Sequence, residues 1–309
     1  MKLISELNDH EHIEGHFLVG NVSKGVNTNG GAYLSVELRD ASGSIVGKKW
    51  DATPLDEQIF IVGNVINIAG ETNKYKEQLQ LKVLSAELVS LEEIDVEKFV
   101  KAPPVSKETL IKRFNDHVAS IKNEDCLKIL KYMIDKFGEK IFSYPAAVSI
   151  HHEYSSGLLM HSVTMADLAN YLCLIYDCDH DLMITGCLLH DLGKIIELEG
   201  PIVYKYSLEG ELLGHISIMC AEVRKAAEEL KIESEIPLLL EHMILSHHGQ
   251  QEFGSPVMPF TKEALLLSLI DNLDSKMVVV NKALSDVEEG SFSNKVFPLD
   301  NRAFYKAKK

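Results

Sequence analysis

Histidine and aspartate residues stand at the ends of apolar segments in the second half of the chain. The stretch GCLLHDLGKI at 186–195 places His190 beside Asp191 where an apolar run ends. A carboxylate at the edge of a core is costly unless it is paired or holds a cation. The candidate partners lie in other apolar segments, and they are His161, His215, His247, His248 and Asp271.

Seven imidazole and carboxylate groups in one region point to a shared task. Any one of them alone is most simply a core residue whose hydrogen bonds are satisfied, but seven are not explained by independent coincidences. Imidazole and carboxylate ligands suit Mn, Fe, Co, Ni or Zn and need no thiolate. A carboxylate shared by two groups of ligands would permit two ions about 3.5–4 Å apart, which activate a water and neutralise phosphate oxygens. The pattern therefore favours hydrolysis of a phosphate ester.

The residues before about position 95 have the pattern of a small β-barrel. Alternating segments rich in β-branched and aromatic residues include HFLVGNVSKGV, AYLSVELRDASGSIVGKKWD and GNVINIAGETNKYKEQLQLKVL. The stretches NTNGG and DASGS predict hairpin turns in which Asn, Asp and Gly supply positive φ. Five strands in this order resemble the OB-fold, whose barrel face often binds single-stranded nucleic acid or oligosaccharide.

Aromatic and basic residues in this barrel are candidates for substrate binding. Tyr33 and Trp50, with Lys48 and Lys49, could form a surface that stacks bases and follows a phosphate backbone. The plainer interpretation is that the aromatic residues belong to the barrel and that the lysines protect exposed edges.

Apolar spacing of three and four residues begins after a Pro-Pro pair and continues almost to residue 285. Ser106 is the expected N-cap of its first helix. We therefore predict a multi-domain chain with a small all-β OB-like barrel at 1–92, a linker at 93–107 and an all-α domain at 108–309.

Composition limits the possible functions. The net charge of −15 is the wrong overall sign for a nucleic-acid binder, although carboxylates that hold metal ions would contribute to it. Five cysteines without a CxxC pair predict reduced thiols and a cytoplasmic protein, with no disulfide framework. We identify no secretion signal, and apolar runs such as ALLLSLI are too short for a bilayer. The basic end KVFPLDNRAFYKAKK is expected to be a frayed tail, the alternative being a phosphate-tracking one.

The ordered set H…HD…H…HH…D over about 150–275 resembles the HD phosphohydrolase superfamily. Together with HHEYSSGLLMHSV, HHGQQEFGSPVMP and the OB-like N-terminus, nearly the whole chain resembles the YhaM-type 3′→5′ exoribonucleases. The resemblance implies an HD-type domain, dependence on a divalent metal such as Mn²⁺, and action on single-stranded RNA and DNA. Where that pattern has a glycine pair and an acid before the first ligand, this chain has Ser155, Ser156, Gly157 and then Met160.

The resemblance also implies roles for individual residues. One ion would be bound by His161, His190, Asp191 and Asp271. A second would be bound by His215, His247 and His248, with Asp191 bridging.

Three further residues carry implied roles. Lys194 matches the lysine of the HDxGK pattern and would stabilise charge on the phosphoryl group; the alternative is a cation at a helix C-terminus. His151 and His152 match a histidine pair that could contact the phosphate or protonate the leaving oxygen, and a surface-loop role is equally open.

Three functions from different classes fit these observations. The first is a metal-dependent 3′→5′ exonuclease that releases nucleoside 5′-monophosphates, with Asp191, Lys194 and His215 as catalytic residues and the barrel holding the upstream strand. The second is an HD-type phosphohydrolase or phosphodiesterase for free or cyclic nucleotides, with the barrel as a regulatory or oligomerisation module. The third is an RNA-binding adaptor with a degenerate site, which the intact ligand set disfavours. A homo-oligomer is compatible with all three.

Overall fold

The computed structural model describes residues 2–28, 30–76, 78–90, 95, 98–100, 104–146, 156–200, 202 and 204–308. The chain divides into two compact units. The barrel unit comprises Met1–Ala102 with Gly200–Lys205, and the helical unit comprises Pro103–Glu199 with Tyr206–Lys309. The finer boundaries at 92 and 107 stay a prediction.

Five strands form a closed barrel in the order β1-β2-β3-β5-β4. All neighbouring pairs are antiparallel except β3 and β5, which run parallel. This closed five-stranded arrangement is that of the OB-fold, so the predicted fold class of the first unit is confirmed. The strands are β1 (His12–Val26), β2 (Ala32–Asp40), β3 (Gly43–Trp50), β4 (Val65–Tyr75) and β5 (Gln78–Leu88).

Alternation along the strands fills the barrel. In β2, Leu34, Val36 and Leu38 are buried and point to one face, as the period of two requires. They pack with Phe17, Ile66 and other apolar side chains from the remaining strands. A second, smaller core in this unit joins Leu18, Val65, Phe99 and Ile202.

The turn between β2 and β3 differs from the prediction. No residue from Asp40 to Gly43 has a positive φ. Instead the buried Asp40 carboxylate accepts hydrogen bonds from the Ser42 and Gly43 amides and from the Ser42 hydroxyl. Its other oxygen accepts the Ile4 amide at 2.7 Å, so one side chain fixes both the turn and the N-terminal segment. A side-chain acceptor thus replaces the expected backbone conformation.

A short helix between β3 and β4 was not predicted. Helix α1 (Pro54–Ile59) begins at Thr53, which forms a capping box with Asp56. The sequence TPLD carries this signal, with proline at the first helical position.

The helical unit confirms the predicted all-α class. Ser106 caps α2 as expected, accepting a hydrogen bond from the Thr109 amide. Two two-residue strands, β6 (Leu198–Glu199) and β7 (Lys205–Tyr206), pair with each other. The helices are α2 (Lys107–Ser120), α3 (Glu124–Phe137), α4 (Lys140–Ser143), α5 (Gly157–Tyr176), α6 (His180–Leu189), α7 (Lys194–Glu197), α8 (Leu208–Leu230), α9 (Ile236–Ser246) and α10 (Lys262–Ser285).

Helices α5 and α6 form the centre of this unit. Almost every residue of α6 is buried, and α5 packs against α2, α4, α6 and α10. Among the described helices, α5 is the one with the length and apolar composition of a membrane span, and half of that window is buried within the chain. A core helix has the same composition, and α5 contributes His161 to the interior.

The C-terminal segment is not frayed, which corrects the expectation for this end of the chain. Two stretches fold back on each other through bridges that pair Phe292 with Tyr305 and Val296 with Arg302. The Ser293 and Phe304 backbones are joined at 2.8 Å, and Leu299 between the stretches is buried. The bridged residues are 13 and 6 positions apart, a hairpin-like pairing that the composition of this end does not indicate.

We predict that Asp40→Ala destabilises the barrel by about 2–3 kcal/mol, because it removes the acceptor of four hydrogen bonds. Trp50 is the single tryptophan and lies in the barrel, so its fluorescence during urea unfolding reports on this unit. Asp40→Asn keeps part of the acceptor capacity, so its free energy of unfolding should lie between those of wild type and Asp40→Ala. The control is Glu87→Ala at an exposed position; an equal shift in the control would contradict this role of Asp40.

Candidate metal centre

Three ligand atoms from two helices meet in a buried group, which we call the first cluster. It comprises His161, early in α5, and His190 and Asp191, just after α6. The Nε2 atoms of the two histidines are 3.3 Å apart, and all three residues are at most 3% exposed. Asp271 of α10 joins them, with its Oδ1 at 3.2 Å from His161 Nε2.

A second cluster lies beside the first. It comprises His215 of α8 with His247 and His248 at the end of α9. The ligand atoms of its three imidazoles lie within 4.8 Å of one another. His215 lies inside α8, directly after Gly214, whose φ of 69° interrupts the helix.

The Asp191 carboxylate lies between the two clusters. Its Oδ2 is 3.5 Å from His190 Nε2 and 3.8 Å from His161 Nε2. Its Oδ1 is 3.4 Å from His215 Nε2 and 3.8 Å from His247 Nε2. One oxygen therefore faces each cluster, which is the arrangement of a carboxylate that bridges two cations.

The imidazoles are oriented from behind by hydrogen-bond acceptors. His190 Nδ1 lies 3.0 Å from the Cys187 carbonyl oxygen, and His247 Nδ1 lies 2.7 Å from that of Ile244. A carbonyl oxygen can only accept, so each Nδ1 carries a proton and donates it to that oxygen, which leaves each Nε2 directed inward.

Two carboxylates that the sequence analysis missed orient the other rings. Asp274 Oδ2 is 2.6 Å from His161 Nδ1, and Glu197 Oε1 is 3.0 Å from His215 Nδ1. Glu197 also accepts the His215 backbone amide. Such carboxylate–histidine pairs fix the ring and increase the basicity of the ligating nitrogen. Asp274 follows Asp271 by one helical turn, a spacing that could have revealed it, whereas nothing local marks Glu197.

Burial and charge act against each other throughout the site. Burial alone would raise the pKa of Asp191, but Lys194 and His190 outweigh it and hold that pKa well below its ordinary value. Burial disfavours a charged His161, yet hydrogen bonds to Asp271 and Asp274 raise its pKa to about 10. Burial and His190 lower the pKa of His247 well below its usual value, so this ring is neutral.

Three buried atoms of the cage have no hydrogen-bond partner. They are Asp191 Oδ1, His215 Nε2 and His247 Nε2. Unsatisfied buried acceptors are rare and costly, and these three converge on one another. Nitrogen and oxygen donors of this kind fit a divalent first-row cation.

Glycines allow the elements that carry the ligands to approach closely. A Cβ at Gly193 would overlap the carbonyl oxygen of His215, and a Cβ at Gly210 would overlap that of Glu197. The segment that follows His190 and Asp191 is therefore in backbone contact with α8 both before and after Gly214. Glu197 contacts Gly210, and Gly193 contacts His215. Gly193, the glycine of the HDxGK pattern, thus allows the segment that carries His190 and Asp191 to contact the backbone of His215 in the second cluster.

The remaining predicted residues have distinct surroundings. Lys194 Nζ donates to Asp191 Oδ2 at 2.7 Å, and its side chain is 17% exposed. In the barrel, the Tyr33 and Trp50 rings are 4.9 Å apart, with Lys48 Nζ 4.9 Å above the Tyr33 ring. Lys49 lies 3.9 Å from Asp56. His151 and His152 lie outside the described residues.

Known proteins resemble both parts of this chain. A family model described as HD domain matches residues 158–276. The 3′-5′ exoribonuclease YhaM of Geobacillus sp. (strain WCH70) is 40% identical over 298 residues, which cover 96% of this chain and 92% of that protein.

Two solved structures align with a smaller part. The second OB-fold domain of replication protein A from Methanococcus maripaludis covers 29% of this chain and 94% of its own, at 21% identity and a TM-score of 0.25. A replication protein A heterotrimer bound to ssDNA covers 36% of this chain and 29% of its own, at 19% identity and a TM-score of 0.25. The barrel assignment depends on the strand order and not on these alignments.

We predict that Gly193→Ala weakens cation binding at the second cluster by about 10- to 100-fold, the range found when support of a ligand is lost. The added methyl group would displace the His215 backbone. The measurement is calorimetric titration of chelator-stripped protein with Mn²⁺. The control is Gly43→Ala, because Gly43 has open space around it. A folded Gly193→Ala protein that binds Mn²⁺ with the wild-type affinities would refute the coupling between Gly193 and the second cluster.

Proposed function

The chain belongs to the YhaM family of 3′-5′ exoribonucleases, and on that premise we propose that it shortens single-stranded RNA from the 3′ end at the cage in its helical unit. The products are nucleoside 5′-monophosphates, and single-stranded DNA is a second substrate. The observation that carries the proposal is the bridging position of Asp191 among three buried, unsatisfied ligand atoms.

The proposed cofactor is Mn²⁺, with Fe, Co, Ni and Zn as metals that the same donors accept. His161, His190, Asp191 and Asp271 would hold one ion, and His215, His247 and His248 would hold another with Asp191 shared. Bound divalent ions supply Lewis-acid charge for the phosphate and lower the pKa of water.

The protein's own groups prepare this site for a phosphodiester. Acceptor oxygens at Nδ1 fix the rings of His190, His215 and His247 with Nε2 directed inward, which avoids reorganisation when substrate binds. Lys194 keeps its proton, because Asp191 outweighs the effect of burial and raises the pKa of the ammonium. From its position against Asp191 Oδ2, the ammonium would stabilise negative charge on the phosphoryl oxygens.

The barrel would hold the RNA upstream of the cleaved bond. Trp50 is 41% exposed and tilted against Tyr33, which leaves ring surface for a base. Lys48 is a better candidate for a phosphate contact than Lys49, whose side chain is 18% exposed and faces Asp56. We also propose that His151 and His152 serve the phosphate or the leaving oxygen, and that the protein is cytoplasmic, in keeping with five free cysteines.

The decisive test is a time course with 5′-labelled single-stranded RNA. Enzyme stripped by a chelator should be inactive, and refilling with Mn²⁺ should restore a ladder that shrinks from the 3′ end. Asp191→Ala should reduce the rate by at least about 1,000-fold, because it removes a ligand of both clusters. Asp135→Ala, an exposed acid on α3, is the control. If the RNA stays intact while mononucleotides or cyclic nucleotides are rapidly hydrolysed, the protein is a nucleotide phosphohydrolase and not an exonuclease.

A second prediction concerns the barrel. Trp50→Ala should weaken binding of a long single strand by about 5- to 150-fold, equivalent to the 1–3 kcal/mol of one base stack. Hydrolysis of a dinucleotide, which occupies the cage alone, should be unchanged. Leu55→Ala, an exposed apolar residue of α1, provides the comparison. Equal losses on both substrates would show that Trp50 acts through folding instead.

A further inference from the structure

Helix α10 is apolar on both sides. Its inner side buries Leu266, Leu267 and Ile270 and carries the ligand Asp271. Its outer side has a row of four large apolar residues at intervals of four, each 47–57% exposed. These residues, which we call the outer row, are Leu265, Leu269, Leu273 and Met277. The apolar stripe of a helix is expected to face a packing partner, and the outer row has none among the described residues.

The end of α5 extends this surface. Lys262 Nζ donates to the Asp177 carbonyl at 2.6 Å, and the Asp179 amide donates to Glu263 Oε1 at 2.9 Å, so the end of α5 adjoins the start of α10. The apolar residues exposed at that end are Tyr171, Leu174, Ile175 and Tyr176.

The combined area exceeds what an isolated chain usually exposes. With about 200 Å² for a large side chain, eight residues that are 47–86% exposed offer on the order of 1,000 Å². Monomers rarely expose apolar patches above about 300–600 Å². A standard stable interface takes about 800 Å² from each partner.

We propose that the outer row of α10, with the end of α5, is the interface of a two-fold symmetric homodimer. The row is self-complementary, because Leu265 and Met277 are each six residues from position 271, and Leu269 and Leu273 are each two. Antiparallel packing of two copies of α10 about this position pairs Leu265 with Met277 of the second copy and Leu269 with its Leu273. An isologous interface requires such self-complementarity.

Charges at the edges of the row agree with this pairing. Lys276 is exposed beside the row, and it would approach the end of α5 in the second copy, where Asp177 is exposed. A membrane surface is the less suitable occupant, because a chain with a net charge of −15 is repelled by anionic lipids. The two cages would then lie on the inner sides of the paired helices, away from the contact.

The first test is the mass of the full-length, metal-loaded protein in solution by light scattering and sedimentation at micromolar concentration. Wild type should have twice the mass of one chain. The double variant Leu269→Lys and Leu273→Lys should raise the dimer dissociation constant at least about 100-fold, with unchanged circular dichroism and metal content. Leu84→Lys, which alters an equally exposed leucine of β5, should stay dimeric.

The second test determines which residues of the two α10 copies lie opposite each other. The double variant Leu269→Cys and Leu273→Cys should give an oxidised covalent dimer whose linked peptides contain those positions. The double variant Leu265→Cys and Leu269→Cys should give little. A monomeric wild type would overturn the proposal, and so would a dimer that both lysines leave intact. Flotation of monomeric protein with lipid vesicles would assign the face to a membrane instead. None of these readouts requires nuclease activity.

Discussion

The structure of the helical unit depends on one buried carboxylate that serves two groups of imidazoles. Asp191 is 3% exposed, and among the described lysine and arginine side chains Lys194 is the one that pairs with it. Burying such a group is costly unless charge and hydrogen bonds compensate. On its Oδ2 side the lysine compensates, but on its Oδ1 side nothing hydrogen-bonds to it. A cation at this position would satisfy the Oδ1 side, which would couple the stability of this unit to metal binding.

The local structure around the cage serves to keep it rigid. Every inward Nε2 described above belongs to a ring held at Nδ1 by a carbonyl or a carboxylate. Backbone contacts at Gly193 and Gly210 then leave the His190–Asp191 turn and α8 little freedom to move independently. Gly214 breaks α8 with a φ of 69° that suits glycine, so that His215 is aimed differently from the rest of its helix. A site with little freedom needs little reorganisation when charge develops on a substrate.

Sequence reasoning succeeded where a residue type conflicts with its surroundings. A histidine or aspartate in an apolar segment is such a conflict, and the structure brings together all seven residues identified in this way. It failed where the cause is a contact across the fold. Glu197 has no special spacing, and the closeness of Gly193 to His215 appears only in three dimensions. Thr53 and Asp56 of α1 carried a readable capping signal, so that omission was avoidable.

Ser156 illustrates how a departure from a family pattern can be structural rather than chemical. It stands where glycine is expected, and its φ of 66° is the left-handed conformation that glycine adopts without strain. Its hydroxyl donates to the Phe142 carbonyl at 2.6 Å, which offsets part of that cost. The turn that leads into α5 is therefore kept, and His161 keeps its place in the cage.

The acidic composition also becomes consistent with a nucleic-acid substrate once metal ions are included. A nuclease that relied on side chains alone would need lysines and arginines around its cleavage site to attract phosphate. Here the described cage has one such side chain, Lys194, while its carboxylates draw in divalent cations. Two divalent ions would outweigh the charge of the ligand carboxylates Asp191 and Asp271 and make the centre locally positive. Phosphate attraction is then confined to the place where hydrolysis occurs, and the remaining surface can be acidic without opposing catalysis.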